Sequence, residues 1–268
     1  MATINTWKCD GAYRTRLDLL KKGLAACKPD LIACQEVFQS EAGGADTGRA
    51  LADALEMHYH WVPARHKDRY LDGKQVSSYS GLALLSVYPI LEAWSYILPA
   101  DERDGERLAQ FVRVDCHSVL VLVINTHLTH LSDASGLRKQ QLASLLAQVP
   151  PTAQFGAVFL CGDFNATEDT EELRFLLRHD RFTVCNGYTA GQGTLPGYTR
   201  VPAPGAAESA QVGKAIDFIF SLTEKHHPQP VLSNGRLILD VPDEQGYYPS
   251  DHFGVMVKAQ ISPTYAAF

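Results

Sequence analysis

The sequence predicts an α/β protein in which two layers of mostly antiparallel sheet carry helices on the outside. Three observations predict that class. Short apolar runs with strand character crowd the middle of the chain, segments of helical period punctuate them, and no internal repeat, charge block or linker divides the sequence. The 268 residues suffice for two small domains, but α/β layers and sandwiches often run past ~200 residues as one unit. One domain spanning residues 1–268 is therefore expected.

Taken in order, residues 3–7 read as a short strand. Residues 13–27 place Leu17, Leu20, Leu24 and Cys27 at the three-to-four spacing of an amphipathic helix, and Lys28-Pro29-Asp30 stops it. Residues 31–37 form a compact apolar strand ending in Gln35-Glu36; residues 49–56 look helical and 58–64 extended. Strands follow at 81–86, 90–98, 108–116 and 119–126, with a hairpin turn at Asp115-Cys116-His117-Ser118. Asp133 or Ser135 is expected to cap a helix over about 136–148, ended by Pro150-Pro151. A buried strand at 155–161 and a helix at 170–179 come next. Residues 186–213, dense in Gly, Pro, Ala and Ser, read as a long excursion of the kind that often carries function. Strands around 215–221, 231–239 and 253–261 complete the chain.

Composition narrows the function classes. Hydrophobic residues make up 46% and charged residues 20%, the balance of a soluble globular protein. The longest aliphatic run, residues 119–124, is far short of the ~20 residues that span a bilayer, so no membrane span is expected. A net charge of −6 argues against coating duplex nucleic acid through bulk charge, while leaving room for a local basic groove. Six scattered cysteines without a CxxC pair fit buried thiols better than a disulfide framework or a zinc site. With no apolar secretory stretch at the N-terminus, the expectation is a cytoplasmic monomer.

The polar residues that packing does not explain stand at strand ends. Asn5 closes the first strand and Glu36 the second; Asn125-Thr126-His127 and Gly162-Asp163-Phe164-Asn165 each follow an apolar run, and Ser250-Asp251-His252 opens the last strand. Singly, each carboxylate is better read as a helix cap or turn residue and each histidine as a satisfied core residue. Asp217 is different: a carboxylate inside the apolar run 215–220 is desolvated and requires a partner. Together the set offers hard oxygen donors plus imidazole, which suits Mg²⁺ or Mn²⁺ rather than zinc. A histidine beside such an ion can protonate a leaving oxygen or stabilise charge on a phosphoryl group.

The ordered set Thr3-Ile4-Asn5, Gln35-Glu36, Asn125-Thr126-His127-Leu128, Gly162-Asp163-Phe164-Asn165, Ile216-Asp217-Phe218-Ile219 and Ser250-Asp251-His252 resembles the endonuclease/exonuclease/phosphatase superfamily, which includes DNase I. The run 81–86 followed by Tyr88-Pro89-Ile90 looks like a central strand of that family, so the likeness spans almost the whole chain. The resemblance implies a DNase I-like, four-layer α/β/β/α sandwich with the metal at one edge. It implies Glu36 as the main Mg²⁺ (or Mn²⁺) ligand, Asn5 beside it, and Asp251 binding or orienting the metal or its water. It further implies that Asp163 activates the attacking water, Asn165 and His127 contact the phosphate, and His252 sits at the phosphate charged by Asp217. The reaction would be in-line attack of water on a phosphoester. There are departures. Lys214-Ala215 stands where many relatives carry Arg before the Ile-Asp pair. Val37-Phe38 after Gln35-Glu36 departs from apurinic endonucleases, and the Trp-Cys-Asp-Arg signature of inositol 5-phosphatases is missing.

Substrate is less legible. Arg107, and Arg103 near it, stand where relatives place a phosphate-contacting Arg, or belong to solvated salt bridges. Tyr188, Tyr198 and Thr199 either line the substrate pocket or anchor the excursion, with Tyr198 the candidate substrate contact. The basic stretch 65–70 reads as a solvated loop or as a phosphate clamp, and Tyr247-Tyr248 as packing or base stacking. The net charge sets a small organic phosphate, nucleotide or lipid head group ahead of the alternative, an endo- or exonuclease acting on DNA or RNA. A catalytically dead binding protein would not be expected to keep Glu36, Asp163, Asn165, Asp217 and His252 together, and a zinc hydrolase lacks its His-rich spacing.

Overall fold

A computed structural model describes residues 1–190, 197–200 and 213–261. The first part of the chain forms β1 (Ala2–Asn5), α1 (Tyr13–Cys27), β2 (Leu31–Ser40), α2 (Thr47–Leu55), β3 (His58–Leu71) and β4 (Lys74–Ser86). The middle forms β5 (Ile90–Leu98), β6 (Arg107–Cys116), β7 (Val119–His127), α3 (Ser135–Ala147) and β8 (Ala157–Asp163). Then come α4 (Glu171–Leu177), β9 (Phe182–Asn186), β10 (Asp217–Glu224), β11 (Val231–Ile238) and β12 (Gly254–Gln260).

The strands build two six-stranded sheets, in the orders β11-β12-β1-β2-β4-β3 and β5-β6-β7-β8-β10-β9. All neighbours are antiparallel except the parallel pairs β1–β2 and β7–β8. Apolar side chains sort into three layers. Leu17, Leu20 and Leu24 of α1 and Leu51 of α2 pack on Ile4, Ile32 and Phe38 of the first sheet. Leu142 and Leu145 of α3 and Leu173 and Leu176 of α4 pack on Ile124, Leu160 and Phe220 of the second. Ala33, Leu84, Val112, Val123 and Phe159 fill the space between the sheets. The result is the expected four-layer α/β/β/α sandwich. Strands covered on both faces read as unbroken apolar runs, which is why residues 119–124 are so visible in the sequence.

Several local expectations are corrected. The strand expected at 58–64 continues to Leu71, and the one expected at 81 begins at Lys74. The basic stretch 65–70 is therefore strand, not loop. Beyond the pair Ser40–Ser78, β4 has no β2 partner, so the rest of the hairpin projects as a two-stranded arm. Its buried face carries Arg69, Ser78 and Ser80 rather than an apolar row, so it shows no apolar alternation to betray it. Strand β9 sits where no strand was expected. Helix α3 is not capped by Asp133 or Ser135: Asp133 instead pairs with Arg103 at 3.1 Å, and Ser135 Oγ donates to Glu172 at 2.7 Å. The hairpin turn after β6 does form, with His117 and Ser118 both left-handed and Asp115 Oδ1 accepting from the Ser118 amide at 2.6 Å. Much of the 186–213 excursion, residues 191–196 and 201–212, lies outside the described residues. Among the described residues all six cysteines are free, and no helix is long and apolar enough to cross a membrane.

Candidate active site

Strand direction gathers the polar residues at one edge. The parallel pairs bring the ends of β1 and β2 together, and likewise those of β7 and β8. Strand β10 runs antiparallel to β8, so its first residue, Asp217, lies opposite the last residue of β8, Asp163. Strand β12 runs antiparallel to β1, which brings Asp251-His252 back to Asn5. Beneath this edge a buried amide chain joins the sheets: Gln35 Nε2 donates to Asn125 Oδ1 at 2.7 Å, and Asn125 Nδ2 donates to Gln110 Oε1 at 3.1 Å. Backbone geometry then turns the end residues into the cleft. The β2 register breaks between Cys34 and Val37, leaving Glu36 left-handed. Gly162, at φ 142°, passes so close to the Thr126 carbonyl that a Cβ would collide with it, so Asp163 is delivered by a position only glycine fills.

Asp163 is the hub. Its Oδ2 accepts from Asn5 Nδ2 at 3.1 Å and lies 3.4 Å from His127 Nε2 and 3.8 Å from His252 Nε2. Its Oδ1 accepts from the Asn165 amide at 2.9 Å, while Asn165 Nδ2 donates to the Leu128 carbonyl. The buried Asp217 has the partner its setting demands: His252 Nδ1 at 2.8 Å, with Thr199 Oγ1 donating to the same oxygen at 2.5 Å. Thr199 Oγ1 also accepts from the Ile216 and Asp217 amides, so it fixes the strand entry as well as the carboxylate. Asp217 Oδ1 is buried with no hydrogen-bond partner among the described residues.

These surroundings set protonation. Burial alone would depress the His252 imidazolium, but the charge of Asp217, then that of Asp163, outweighs it and holds the group up at about 10. Burial, followed by the charge of Arg107, keeps His127 well below its ordinary range and therefore neutral. Burial and then Asp217 push the Asp163 carboxyl up to about 7. Burial, with the charge of Glu36 adding to it, raises Asp251.

The rest of the cleft, about 840 Å³, contains Glu36, Asp251, Asn165 and Arg107. Lys8 Nζ lies 2.8 Å from Glu36 Oε2 and 3.4 Å from Asp10. Burial works against that ammonium, yet Glu36 and Asp10 outweigh it and hold the amine above its usual range. Among the described residues, Asp163, Asp217 and His252 each bring one ligand atom within 4.8 Å of the others, a candidate metal group distinct from the expected Asn5, Glu36 and Asp251. In that group Asp217 Oδ2 is already committed to His252 and Thr199.

The substrate candidates divide. Arg107 lines the cleft, held by Asp104 through Nε at 2.9 Å and Nη2 at 2.5 Å. Tyr198 is not among the cleft-lining residues; its ring packs on Phe253 with centroids 5.5 Å apart. Tyr248 packs on Phe253 as well, and Arg103 is an exposed partner of Asp101 and Asp133. Several contributors escaped the sequence reading. Asp104, 1% exposed, also lies 2.6 Å from His130 Nδ1 at the cleft wall. Arg16 is buried in α1 and donates to the carbonyls of Thr6, Trp7, Lys8, Asp10 and Pro249. It ties the loop after Asn5 to the loop before Asp251. An arginine on the apolar stripe of α1, beside Leu17 and Leu20, was the available signal.

Comparisons place this geometry among known proteins. The profile of the Endonuclease/Exonuclease/phosphatase family matches residues 2–252. Protein angel homolog 2 of Danio rerio is 28% identical over 203 residues, covering 70% of this chain and 34% of the relative. The chain thus spans about a third of the length of the curated relatives it matches. An endonuclease/exonuclease/phosphatase family protein from Leptotrichia buccalis superposes with a TM-score of 0.74 at 17% identity, covering 97% of this chain and 98% of that one. TDP2 of Danio rerio, complexed with single strand DNA product, gives a TM-score of 0.71 at 19% identity, with coverages of 97% and 98%. The structural likenesses establish the fold, and the profile match establishes the kinship. The chain belongs to the endonuclease/exonuclease/phosphatase family.

Proposed function

We propose that the protein is a divalent-metal-dependent phosphoester hydrolase and that its substrate is a nucleic-acid phosphodiester. One observation carries the hydrolytic reading: a single carboxylate oxygen, Asp163 Oδ2, faces Asn5, neutral His127 and charged His252, at the rim of a cleft that also holds Glu36. The donor set fits a hard cation. Glu36 and Asp251 offer carboxylates and Asn5 an amide, with no thiolate beside them, and the Lys8 ammonium on Glu36 marks a place where positive charge is already stabilised. Asn5, Glu36 and Asp251 would hold Mg²⁺ or Mn²⁺, which supplies Lewis acidity toward a phosphoryl oxygen.

The side chains do the rest. Asp163 Oδ2 takes a proton from the attacking water as the water oxygen bonds to phosphorus. The P–O bond in line with it breaks, and the leaving oxygen departs and takes a proton from solvent. His252, kept charged by Asp217, offers its Nε2 proton to charge building on the phosphoryl oxygens. His127, neutral and buried, donates a hydrogen bond to the same group, and Asn165 orients it. Such donors, fixed before the reaction in a partly dry site, account for most of the expected acceleration.

The net charge of −6 favoured a small phosphate, but the cleft argues the other way. Arg65, Lys67, Arg69, Arg107 and Arg200 line it against Asp68 and Glu106, so the balance of charge away from the metal edge is cationic. The shared fold with TDP2 in complex with a single strand DNA product supports the same choice. The experiment is a turnover panel in Mg²⁺, Mn²⁺ and EDTA on single-stranded DNA, RNA, supercoiled plasmid, a bis-aryl phosphodiester and phosphomonoesters. Metal-dependent turnover of the strands above that of the monoesters is the expected result. Turnover of phosphomonoesters alone would return the small-phosphate reading to first place.

A further inference from the structure

The arm formed by β3 and β4 carries three cations that catalysis at the metal edge leaves unused. Arg65, Lys67 and Arg69 alternate along β3, so they share one face of the arm, and all three line the cleft. Opposite them on β4, Ser78 and Ser80 occupy the same face. The intervening Asp68 also lines the cleft, but its carboxylate is engaged by Gln75 Nε2 at 2.8 Å. Among the described residues none of the three cations has a carboxylate within 4.0 Å, whereas Arg14, Arg103, Arg107, Arg138 and Arg181 each have one.

Arg69 is the strongest sign. It is 8% exposed, yet among the described residues its guanidinium hydrogen-bonds only neutral groups: Ser78 Oγ and Ser80 Oγ, each at 3.0 Å, and the carbonyls of Lys67 and Ser78. Burying a guanidinium without a counter-charge costs free energy unless an anion arrives to repay it. Burial pulls Arg69 below its ordinary range, and Arg65 adds to it, while the carboxylates of Asp10 and Glu36 farther along the cleft act the other way. Arg65 in turn passes beside Gly105, next to the corner where Asp104 holds Arg107. Cations thus outnumber the acids Asp68 and Glu106 along the wall from the arm to the site edge.

We infer that Arg65, Lys67 and Arg69 form a second phosphate subsite, which grips the backbone of a single nucleic-acid strand at phosphates other than the scissile one. Alternate residues of a strand recur about every 7 Å, so successive cations meet successive phosphates of an extended chain. Bidentate guanidinium contacts suit those oxygens, and the serine hydroxyls orient Arg69 toward them. The inference rests on the proposed phosphodiester hydrolase reading and adds to it the reason for preferring a strand over a small ester.

The test separates the two. Fluorescence anisotropy of a labelled octadeoxythymidylate in EDTA measures binding without turnover, for wild type, Arg65→Ala/Lys67→Ala and the conservative Arg69→Lys. The double variant should bind about 10-fold more weakly, with a log–log salt slope shallower by about 1.4, the value for two lost single-strand contacts. Its kcat/KM on the oligonucleotide, relative to its own kcat/KM on bis(4-nitrophenyl) phosphate, should fall by a similar factor. Octamer binding and salt slope equal to wild type, while wild type still hydrolyses the bis-aryl ester, would overturn the subsite and leave the proposed function standing. No diester turnover by wild type in Mg²⁺ or Mn²⁺ would overturn the proposed function, and the binding comparison in EDTA would still judge the subsite. Adenosine 3′,5′-bisphosphate displacing the octamer at equal concentration would overturn the assignment to a strand.

Discussion

His127 and His252 approach the same oxygen, Asp163 Oδ2, at 3.4 and 3.8 Å, yet their surroundings drive them to opposite charge states. His252 has Asp217 behind it at 2.8 Å and is held up at about 10; His127 has burial and the field of Arg107, and is held down. Divergent protonation of neighbouring titratable groups is how one site provides both a charged donor and a neutral one. In the metal-free protein at pH 7.5, the ring nitrogens of His252 should report an imidazolium and those of His127 a neutral imidazole by heteronuclear NMR. Asp217→Asn should lower the His252 value. A neutral His252 in wild type at that pH would remove the electrostatic half of the account.

Arg16 organises the metal edge from below. Its guanidinium satisfies five backbone carbonyls around Lys8 and Pro249, and its guanidinium carbon lies 4.6 Å from the Trp7 ring centroid. Arg16→Met keeps the apolar stem and orphans the carbonyls, at a cost of about 2–4 kcal/mol. Urea unfolding should show that loss, with activity falling further than the unfolded fraction explains. A variant as stable and active as wild type would show that the loop holds itself.

Away from the site, Arg138 Nε and Glu172 Oε1 form a buried pair at 2.6 Å that ties α3 to α4. Burial alone would raise the Glu172 carboxyl, but hydrogen bonds from Ser135 and Arg138 outweigh it and lower the group below its ordinary range. A depressed acid contributes stability above its unfolded pKa of about 4.3 and loses it as pH falls through the lower folded value. Melting temperature should therefore drop below pH 4.5 more steeply in wild type than in Glu172→Gln. Parallel curves for the two proteins would contradict this.

Thiol chemistry should follow depth. Cys34 and Cys116 are pushed up to about 12 by burial, and Cys161 is raised by burial too, which leaves few thiolates to react. Only Cys27 and Cys185 are less than fully buried. Brief treatment with iodoacetamide at pH 8 should label those two and spare Cys9, Cys34, Cys116 and Cys161 by mass spectrometry. Rapid labelling of Cys34 in native protein would show that the first sheet opens readily.

What the sequence disclosed depended on contrast. Asp217 stood out because a carboxylate in an apolar run violates the pattern around it, and the structure supplies the His252 and Thr199 partners that the violation required. The sandwich was legible because its central strands are apolar on both faces. The arm was not: Arg65, Lys67 and Arg69 alternate along a strand whose inner face is polar, where such sequence resembles loop. Lys8, Asp104 and His130 were equally silent, since a charged residue near a strand end has a bland explanation until its partner is located in space. Tyr198, aromatic and loop-borne, had two readings in the sequence, pocket lining and loop anchoring, and its ring packs on Phe253.

The most direct test of a metal-dependent hydrolase centred on Glu36, Asp163 and His252 is the initial rate of phosphodiester hydrolysis against free Mg²⁺, for wild type and Glu36→Gln. Wild type should be silent in EDTA and saturate with the cation, while Glu36→Gln should lose about 100-fold or more in rate and require more Mg²⁺. Equal wild-type rates in EDTA and Mg²⁺, or a Glu36→Gln protein as fast as wild type, would contradict the account.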